Sequence, residues 1–541
     1  MRVPWPERLT PEVVSGFYRS GDWQELTANE TLDRLAQVRP ATLALVDSTR
    51  RLTFREYQEQ ATNLAAAFLG LGLTRDDVIA VQLPNGVDFP VTINAAMRAG
   101  IPFCQFHHGF RSKEVGFVLE FSRARAVVIP HVHQGFDYTA MIAELRPKLP
   151  NLEHVIVVSD NVPQGVVDLR AATQRPASQE ALVQLAERRP KSDDLCRMAF
   201  TSGTTGDPKA VVHTHNTSSC TARSSARDQR MSEDSAMLLF LPVGLNWGLG
   251  CTKQSLFAGC KIVYMERFDA RTALEIIERE RITHFVTAPA SLVAMMDAAD
   301  AGNYDLASLE VIVSGGASCP LEVLKRAQQR FGARVLEMYG MLESGVQSRT
   351  YVEDDYQLVA GTVGRPVREV QVRVCDAQDR PVPAGTVGEI ECFGPSVMLG
   401  YYENSDANKR AFADDGFFRT GDQGVFDESG LLRISGRIKE MIIRGGANIY
   451  PREIEEVLFE HPKVADCAIV GIPHPRLGET AVACVVLRPG EKLAFEDMIA
   501  FLETRVARYK LPERLIVLDE LPRTPTGKVQ KPSLVQLVGT N

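Results

Sequence analysis

A run of hydroxyl-bearing residues and glycines follows an apolar segment and ends close to a lysine. From Phe200 to His215 the sequence reads FTSGTTGDPKAVVHTH. Hydroxyls, free backbone N–H groups and one cation suit a polyphosphate, because its charge is spread over many oxygens. The spacing does not match a Walker A loop. The residues predicted to contact phosphate are Thr201, Ser202, Gly203, Thr204, Thr205, Gly206 and Lys209.

This run also has simpler interpretations when it is taken alone. A loop rich in Ser, Thr and Gly can be a flexible linker. His213 and His215 could suggest a metal site, but two histidines without a third ligand are more often structural.

Three further segments carry polar residues that could act on a nucleotide. GFFRTGDQG places Asp422 between glycines, where a carboxylate can approach a ribose diol. SGRIKEMIIRGGANIY contains Arg437 and Lys439, and PRTPTGKVQK contains Lys528. Alone, Asp422 is typical of a β-turn and Lys528 of a solvated surface.

The elements that must position these residues alternate between strands and helices. In TFREYQEQATNLAAAFLGLGL, apolar residues recur at helical spacing before glycines, and the buried strand DVIAVQL follows. The apolar segments ARAVVIP, HVIVVSD, CKIVYM, THFVTAPA and LEVIVSGG repeat this alternation. The pattern predicts an α/β fold with mainly parallel sheets covered by helices.

From about residue 360 the apolar segments become shorter and are separated by Gly and Pro, which indicates a small barrel-like antiparallel section over about 350–435. We therefore predict an N-terminal domain at 1–435 and a small α+β C-terminal domain at 436–541. Pro451 is predicted to open a helix in that second domain.

The composition disfavours several classes of protein. The net charge of -8 disfavours nucleic acid as a partner. Ten scattered cysteines without a C-x-x-C pair favour a reducing cytoplasm over a disulfide framework. No apolar run reaches the length of a membrane span, so we expect none.

Together, in this order and at these separations, the four segments resemble the adenylate-forming superfamily of acyl-CoA synthetases, luciferases and peptide-synthetase adenylation domains. The resemblance extends from about residue 52 to 531. It implies ATP or an acyl-AMP, Mg²⁺ and coenzyme A as cofactors, and removes the linker interpretation of the Thr/Gly loop.

The resemblance also implies roles for individual residues. Asp422 and Arg437 match the ribose contacts, and Lys528 matches the lysine that bridges the substrate carboxylate and the α-phosphate. Glu343 matches the Mg²⁺ ligand, and Lys439 matches the hinge about which the mobile C-terminal domain rotates. The adenine pocket matches Gly315, Gly316, Ala317, Glu337, Met338 and Tyr339, with Tyr339 as the stacking ring. Gly445 and Gly446 match the loop that lines the pantetheine tunnel. The acyl pocket matches Leu245, Asn246, Trp247 and Gly248.

Three positions depart from the superfamily pattern. The block that starts at Tyr339 normally reads Tyr-Gly-x-Thr-Glu, with the threonine on the α-phosphate, but here Leu342 replaces that threonine. Leu245 stands where a histidine is usual, and Ala210 where a glycine is usual. The Ala210 change is interpreted as tolerated. Losing one donor at a phosphorane costs about 2 to 4 kcal/mol of transition-state stabilisation.

Three functional hypotheses remain open from the sequence. The first is a complete acyl-CoA ligase for a small-molecule carboxylic acid. An amino acid is disfavoured because LNW lacks an acid to pair with an ammonium group, and TAPASLVAMMD with Trp247 and Gly248 indicates an apolar pocket. Similarity around QFHHGFRSKEV and MYGM to ligases for alicyclic and medium-chain acids favours a hydrophobic acid that is alicyclic or polycyclic. The second is a ligase that only transfers an acyl-AMP, made by a separate adenylating enzyme, to CoA. The third is a non-catalytic protein that binds an acyl nucleotide or CoA.

Overall fold

The computed structural model describes residues 5–201, 208–316, 319, 321–359, 361–445, 447–523 and 529–539. Two large sheets form most of the N-terminal part. The first contains nine strands in the order β18-β17-β16-β15-β14-β12-β13-β1-β2. Its strands are β1 (Leu43–Val46), β2 (Arg51–Thr53), β12 (Ala236–Leu239), β13 (Lys261–Tyr264), β14 (His284–Thr287), β15 (Val311–Gly315), β16 (Arg334–Met341), β17 (Gly345–Arg349) and β18 (Arg365–Pro366). Strands β1 and β12 to β16 are parallel, and β2, β17 and β18 join as antiparallel neighbours.

The second large sheet contains eight strands in the order β21-β11-β10-β4-β3-β5-β8-β9. They are β3 (Ile79–Val81), β4 (Phe103–Gln105), β5 (Ala126–Pro130), β8 (His154–Val158), β9 (Val167–Asp168), β10 (Leu195–Phe200), β11 (Ala210–Thr214) and β21 (Gly400–Tyr401). A small hairpin pairs β6 (Val132–His133) with β7 (Phe136–Asp137). Strands β11 and β21 are antiparallel to their neighbours, whereas the others run parallel.

Helices fill the space between the sheets and cover their outer faces. The helices of the N-terminal part are α1 (Pro11–Arg19), α2 (Ala28–Val38), α3 (Phe54–Gly70), α4 (Asp88–Arg98), α5 (Ser112–Ser122), α6 (Tyr138–Leu145), α7 (Leu169–Gln174), α8 (Gln179–Glu187), α9 (His215–Asp228), α10 (Asn246–Ala258), α11 (Ala270–Glu280), α12 (Pro289–Asp300), α13 (Leu321–Phe331), α14 (Tyr356–Val359) and α15 (Ser405–Ala411). A 3-10 turn follows α6 at Arg146–Lys148.

Alternate residues of each buried strand enter different cores. In β3, Ile79 and Val81 pack with α3, α4 and α10, whereas Ala80 packs with α5 and α6. In β12, Met237 joins that central core, whereas Leu238 packs with α11 to α13. The central helices are therefore shared by both sheets, and the predicted α/β class with covered parallel sheets is confirmed.

Helix α3 shows how the sequence directs this packing. Thr53 caps its first turn by accepting a hydrogen bond from the backbone N–H of Glu56, while the Glu56 side chain accepts from the N–H of Thr53. One face, which includes Tyr57 and Phe68, is fully buried. The helix ends at Gly70, and Gly72 follows with a φ of +73°.

The predicted antiparallel section is a four-stranded sheet in the order β19-β20-β22-β23. Its strands are β19 (Gln371–Cys375), β20 (Gly388–Phe393), β22 (Phe418–Phe426) and β23 (Leu432–Arg437). All of its ladders are antiparallel. A single 3-10 turn, Ile438–Glu440, separates β23 from the last sheet.

The final sheet surrounds a separate core. It contains β24 (Ile442–Arg444), β25 (Ala447–Ile449), β26 (Val464–His474), β27 (Gly478–Leu487) and β28 (Arg514–Val517). It packs against α16 (Pro451–Phe459), α17 (Phe495–Glu503) and α18 (Lys531–Gly539), and a 3-10 turn lies at Arg508–Lys510. Pro451 is the first residue of α16, as predicted. The division of the chain at 435 and 436 stays a prediction.

No helix among the described residues is long and apolar enough to cross a membrane. All ten cysteines lie in the described residues, and each is free and buried.

The burial of the thiols predicts their reactivity. In the native protein we expect DTNB, a thiol reagent, to label fewer than about one thiol per chain within minutes, because access limits thiol reactions as much as ionisation does. In guanidinium chloride all ten thiols should react. Rapid labelling of several thiols in the native protein would contradict this burial.

Candidate active site

The predicted ribose contacts and stacking ring meet at the junction of two sheets. Tyr339, on β16, donates a hydrogen bond from its hydroxyl to Asp422 Oδ2, on β22, at 2.7 Å. Arg437 Nε lies 3.2 Å from Asp422 Oδ1, and the two residues are register partners on β22 and β23. Burial, followed by the charge of Asp422, raises the pKa of Tyr339, so this hydroxyl stays a donor.

The adenine-pocket positions lie beside this junction. Gly315 ends β15 and is the register partner of Met338 on β16. A Cβ at Gly315 would lie 3.1 Å from the Met338 carbonyl oxygen and 3.0 Å from Cη2 of Trp247. Gly316 has a φ of +76°, which only glycine adopts without strain. Ala317 lies outside the described residues.

Glu337 is the most perturbed acid of this region. Its side chain is buried, and Oε1 has no hydrogen-bond partner among the described residues. Desolvation by burial raises the pKa of Glu337 to about 8, so the carboxyl is largely protonated at neutral pH. Its own backbone N–H donates to Thr350 Oγ1 at 2.9 Å, which ties β16 to the segment after β17.

The phosphate-loop positions that can be described close the end of a hairpin. The Thr201 N–H donates to the Lys209 carbonyl at 3.0 Å, and the Lys209 N–H donates to Thr201 Oγ1 at 3.1 Å. The residues Ser202, Gly203, Thr204, Thr205 and Gly206 lie outside the described part of the chain. Thr201 and Lys209 thus hold the two ends of the loop together.

Glu343 lies in the same region as Lys209. The Tyr401 hydroxyl donates to Glu343 Oε1 at 3.1 Å, and Lys209 Nζ lies 4.7 Å from the centre of the Tyr401 ring. Burial raises the pKa of the Glu343 carboxyl. A single carboxylate near a phosphate loop fits Mg²⁺, which usually takes one or two carboxylates and completes its shell with water and substrate phosphates. No cluster of three or more His, Cys, Asp or Glu residues able to hold a metal occurs in the part that the structure describes.

Leu342 is held by its backbone, while its side chain is apolar and partly buried. The side chain packs against a core that contains Val211, Val346 and Met398. The Leu342 carbonyl accepts a hydrogen bond from His213 Nε2 at 2.8 Å. Because a carbonyl only accepts, Nε2 carries the proton and Nδ1 accepts from Thr217 Oγ1 at 3.1 Å. The positioning contact of His213 was missed in the sequence, where this residue was considered only as a metal ligand or a structural histidine.

The acyl-pocket positions begin helix α10. Leu245 precedes the helix as its N-cap, and Asn246 is its first residue. A Cβ at Gly248 would lie 2.3 Å from the Pro242 carbonyl oxygen, so only glycine allows this close approach. Trp247 extends to Gly315 and Gly316, which joins the acyl pocket to the adenine-pocket positions.

Lys439 and Gly445 lie at the start of the last sheet. Lys439 belongs to the 3-10 turn that follows Arg437, and burial followed by the charge of Arg437 lowers the pKa of Lys439. Gly445 has a φ of +58° and donates its N–H to the Leu477 carbonyl at 2.7 Å. Gly446 and Lys528 lie outside the described residues.

Comparison with known proteins identifies the family. The profile of the AMP-binding enzyme family matches residues 32–402, and that of the AMP-binding enzyme C-terminal domain matches residues 453–528. The chain belongs to this family, which is part of the adenylate-forming superfamily, and it is a ligase of the acyl-CoA synthetase type.

Individual relatives align along nearly the whole chain. A salicylyl-CoA synthase / salicylate adenylyltransferase from Streptomyces sp is 34% identical over 543 residues, covering 99% of this chain and 97% of the relative. The 2-hydroxy-7-methoxy-5-methyl-1-naphthoate–CoA ligase of Streptomyces carzinostaticus is 33% identical over 547 residues, with coverages of 99% and 97%. The ATP-bound structure of MatB from Rhodopseudomonas palustris superposes with a TM-score of 0.84 and 27% identity, covering 95% of this chain and 99% of that one.

The buried Glu337 carboxyl predicts a pH dependence of stability. The folded protein keeps a proton on Glu337 that an unfolded chain loses above the ordinary pKa of 4.5, so stability falls as pH rises towards about 8. Glu337→Gln should abolish this loss, which is on the order of 2 to 3 kcal/mol between pH 6 and pH 8. Denaturant unfolding of both proteins across this pH range measures it. Parallel pH profiles of the two proteins would show that Glu337 does not retain its proton.

Proposed function

We propose that this enzyme activates a hydrophobic, ring-bearing carboxylic acid with ATP and transfers the acyl group to coenzyme A. The observation that carries the proposal is the contact of Tyr339 and Arg437 with Asp422, because it brings together a ring for adenine and an acid for the ribose. Glu343 and Lys209 both contact Tyr401, and we assign to them the binding of Mg²⁺ and of the triphosphate.

The first step forms an acyl-AMP. A carboxylate oxygen of the substrate attacks the α-phosphorus of ATP, a new P–O bond forms, and the bond to pyrophosphate breaks. Two anions approach each other, so cations near the phosphates lower the barrier. Lys209 contributes one charge, and Lys528 is proposed to bridge the carboxylate and the α-phosphate. Mg²⁺ held by Glu343 would neutralise charge on the phosphates.

The second step makes the thioester. The sulfur of the CoA thiolate attacks the acyl carbon, and AMP leaves with the electron pair of the broken C–O bond. A thiol is already partly ionised near neutral pH, so this step demands positioning more than acid–base groups. Between the two steps we propose that the C-terminal domain rotates about a hinge at Lys439. We assign the pantetheine contact after this rotation to Gly445 and Gly446.

The substrate class follows from the surroundings of Trp247. The indole packs against the backbone at Gly315 and Gly316. Its flat aromatic surface suits contact with a ring of the substrate acid. Leu245 adds apolar surface at the start of α10. Two relatives are named for acids with aromatic rings, salicylate and a substituted naphthoate. An alicyclic or polycyclic acid offers the same apolar faces.

Leu342 favours a second candidate, in which the adenylation step is weak or absent and a separate enzyme supplies the acyl-AMP. Its side chain packs against an apolar core and cannot donate a hydrogen bond to the α-phosphate. Loss of one donor at this point slows the first step by about a hundred- to a thousand-fold. The second step does not use that donor.

Two parallel mixtures separate the two candidates. One contains a panel of ring-bearing acids with ATP, Mg²⁺ and CoA, and the other contains presynthesised acyl-AMP with CoA. The proposal expects acyl-CoA from both mixtures and pyrophosphate from the first. Acyl-CoA from the second mixture alone would establish the transfer-only enzyme, and no acyl-CoA from either would contradict both.

A substitution at Leu342 tests its effect on adenylation. We expect Leu342→Thr to raise the rate of pyrophosphate release, relative to the rate from preformed acyl-AMP, by about 10- to 100-fold because it restores one donor. Leu342→Val is the matched control, since valine has the shape of threonine without its hydroxyl. Equal rate ratios in the two variants would mean that the hydroxyl has no role.

A Cβ added at Gly315 tests the ring-binding surface. It would lie 3.0 Å from Cη2 of Trp247, so the indole must shift. We expect Gly315→Ala to lower kcat/KM about 10-fold or more for bicyclic acids and less for single rings, because a displacement near the reacting atoms is costly. Gly16→Ala is the control, since Gly16 lies within α1 without a positive φ and has no atom within 4 Å of a Cβ. An equal loss for single and double rings would contradict the assignment of the pocket.

A further inference from the structure

Two buried cations lie behind the first turn of α10. Arg197, on β10, is 4% exposed, and Lys253, on α10, is 3% exposed. Neither makes an ion pair with an Asp or Glu carboxylate in the part of the chain that the structure describes. A buried cation without a carboxylate is costly, so its neighbours must explain its presence.

Ser218 links the two cations. Its Oγ accepts a hydrogen bond from Arg197 Nε at 3.0 Å and another from Lys253 Nζ at 2.7 Å. A hydroxyl oxygen has two lone pairs, and both are occupied here. The hydroxyl proton of Ser218 is therefore left to donate elsewhere.

Arg197 also fixes the orientation of the Asn246 side chain. Its Oδ1 accepts a hydrogen bond from Arg197 Nη2 at 2.7 Å, and the guanidinium can only donate. The Asn246 Nδ2 must then face away from Arg197 as a donor. Arg197 Nη1 itself has no hydrogen-bond partner among the described residues. Three donor groups, on Ser218, Asn246 and Arg197, are therefore left without an acceptor among the described residues.

The face of α10 that carries Asn246 is open beside Gly250. Asn246, Gly250 and Lys253 follow one another at helical spacing on one face of α10. A Cβ built on Gly250 would meet no atom within 4 Å. Ser218, Asn246 and Gly250 are half-buried, whereas the two cations behind them are fully buried.

The charges of the cluster leave one positive charge unbalanced. Lys253 Nζ lies 4.0 Å from Cys196 Sγ. Burial raises the pKa of Cys196, but the charges of His215 and Lys253 outweigh it and bring the pKa to about 6. A Cys196 thiolate therefore offsets Lys253. The same thiolate also interacts with Arg197, so one negative charge is shared by two cations and one positive charge is left over. The N-terminus of α10 adds a dipole that favours an anion.

We propose that the acid carries a second carboxylate, which is received by Arg197, Ser218 and Asn246 beside Gly250. This inference rests on the proposed function, since it names a feature of the substrate of the same site. Three donors and one uncompensated charge match a group that accepts several hydrogen bonds and carries one negative charge. Trp247 then contacts the ring, and the second carboxylate lies beyond it, away from the phosphates.

Matched pairs of acids test the subsite. Benzoate and cyclohexanecarboxylate are compared with the 1,2-, 1,3- and 1,4-dicarboxylates of the same rings, and kcat/KM is measured for each. We expect one isomer of dicarboxylate to be preferred over its monocarboxylate by about 100-fold or more. Salicylate is included as a neutral acceptor, and its preference over every dicarboxylate would overturn the anionic subsite.

Variants test which residues bind the second carboxylate. Arg197→Met should reduce the dicarboxylate to monocarboxylate ratio of kcat/KM by about 100-fold, and Arg197→Lys should retain more of it. Arg223→Met is the control, because Arg223 is a cation of neighbouring α9 that donates to the Asp22 carbonyl. Removing an uncompensated buried charge should not lower Tm in Arg197→Met. An unchanged ratio with a lower Tm would make the cluster purely structural and overturn the proposal.

A binding measurement distinguishes failure of this inference from failure of the proposed function. If no acid gives acyl-CoA, the thermal shift caused by each dicarboxylate is measured in the wild type and in Arg197→Met. A shift that the variant loses supports the subsite and refutes only the ligase activity on these acids. Absence of a shift from every dicarboxylate overturns the subsite.

Discussion

The hydrogen bond from Tyr339 to Asp422 connects the parts on which this site depends. Tyr339 lies on β16 of the nine-stranded sheet, and Asp422 lies on β22 of the antiparallel sheet. Arg437 contacts the same carboxylate from β23, two residues before Lys439. One carboxylate thus joins two sheets to the turn that leads into the last sheet. A change in the position of Asp422 would therefore affect Tyr339 and the turn that contains Lys439 together.

The region around Leu342 shows how backbone and side chain can have separate effects. His213 fixes the Leu342 carbonyl, so the loop before Glu343 is positioned without a threonine hydroxyl. The leucine side chain adds apolar burial, which stabilises the fold by less than the about 1.5 to 3 kcal/mol of a fully buried leucine. That gain belongs to the folded state, whereas the missing donor affects only the barrier. A stable site and a slow first step are therefore compatible.

The cluster behind Asn246 depends on an irregularity in β10. The register of β10 against β11 shifts between Leu195 and Arg197, so Cys196 is an extra residue in the ladder. A bulge of this kind re-aims side chains. Both Cys196 and Arg197 contact groups on the central helices, although neighbours in a regular strand point to opposite faces. The bulge thereby brings a thiol, a guanidinium and an ammonium group to one place.

The order of residues along the chain was enough to predict the class of fold, which the structure confirms, whereas the residues assigned to the nucleotide site stay predictions. Alternation of apolar strands and helical stretches is a local pattern, and the phosphate loop, Asp422 and Arg437 lie in short segments whose spacing is legible along the chain. Which groups from distant parts of the chain come into contact is visible only in the folded structure. His213 lies 129 residues from the Leu342 carbonyl that it binds, and Lys253 lies 35 residues from Ser218. Such contacts depend on how helices pack between two sheets, and side-chain periodicity within one element carries no information about the partner it finds on another.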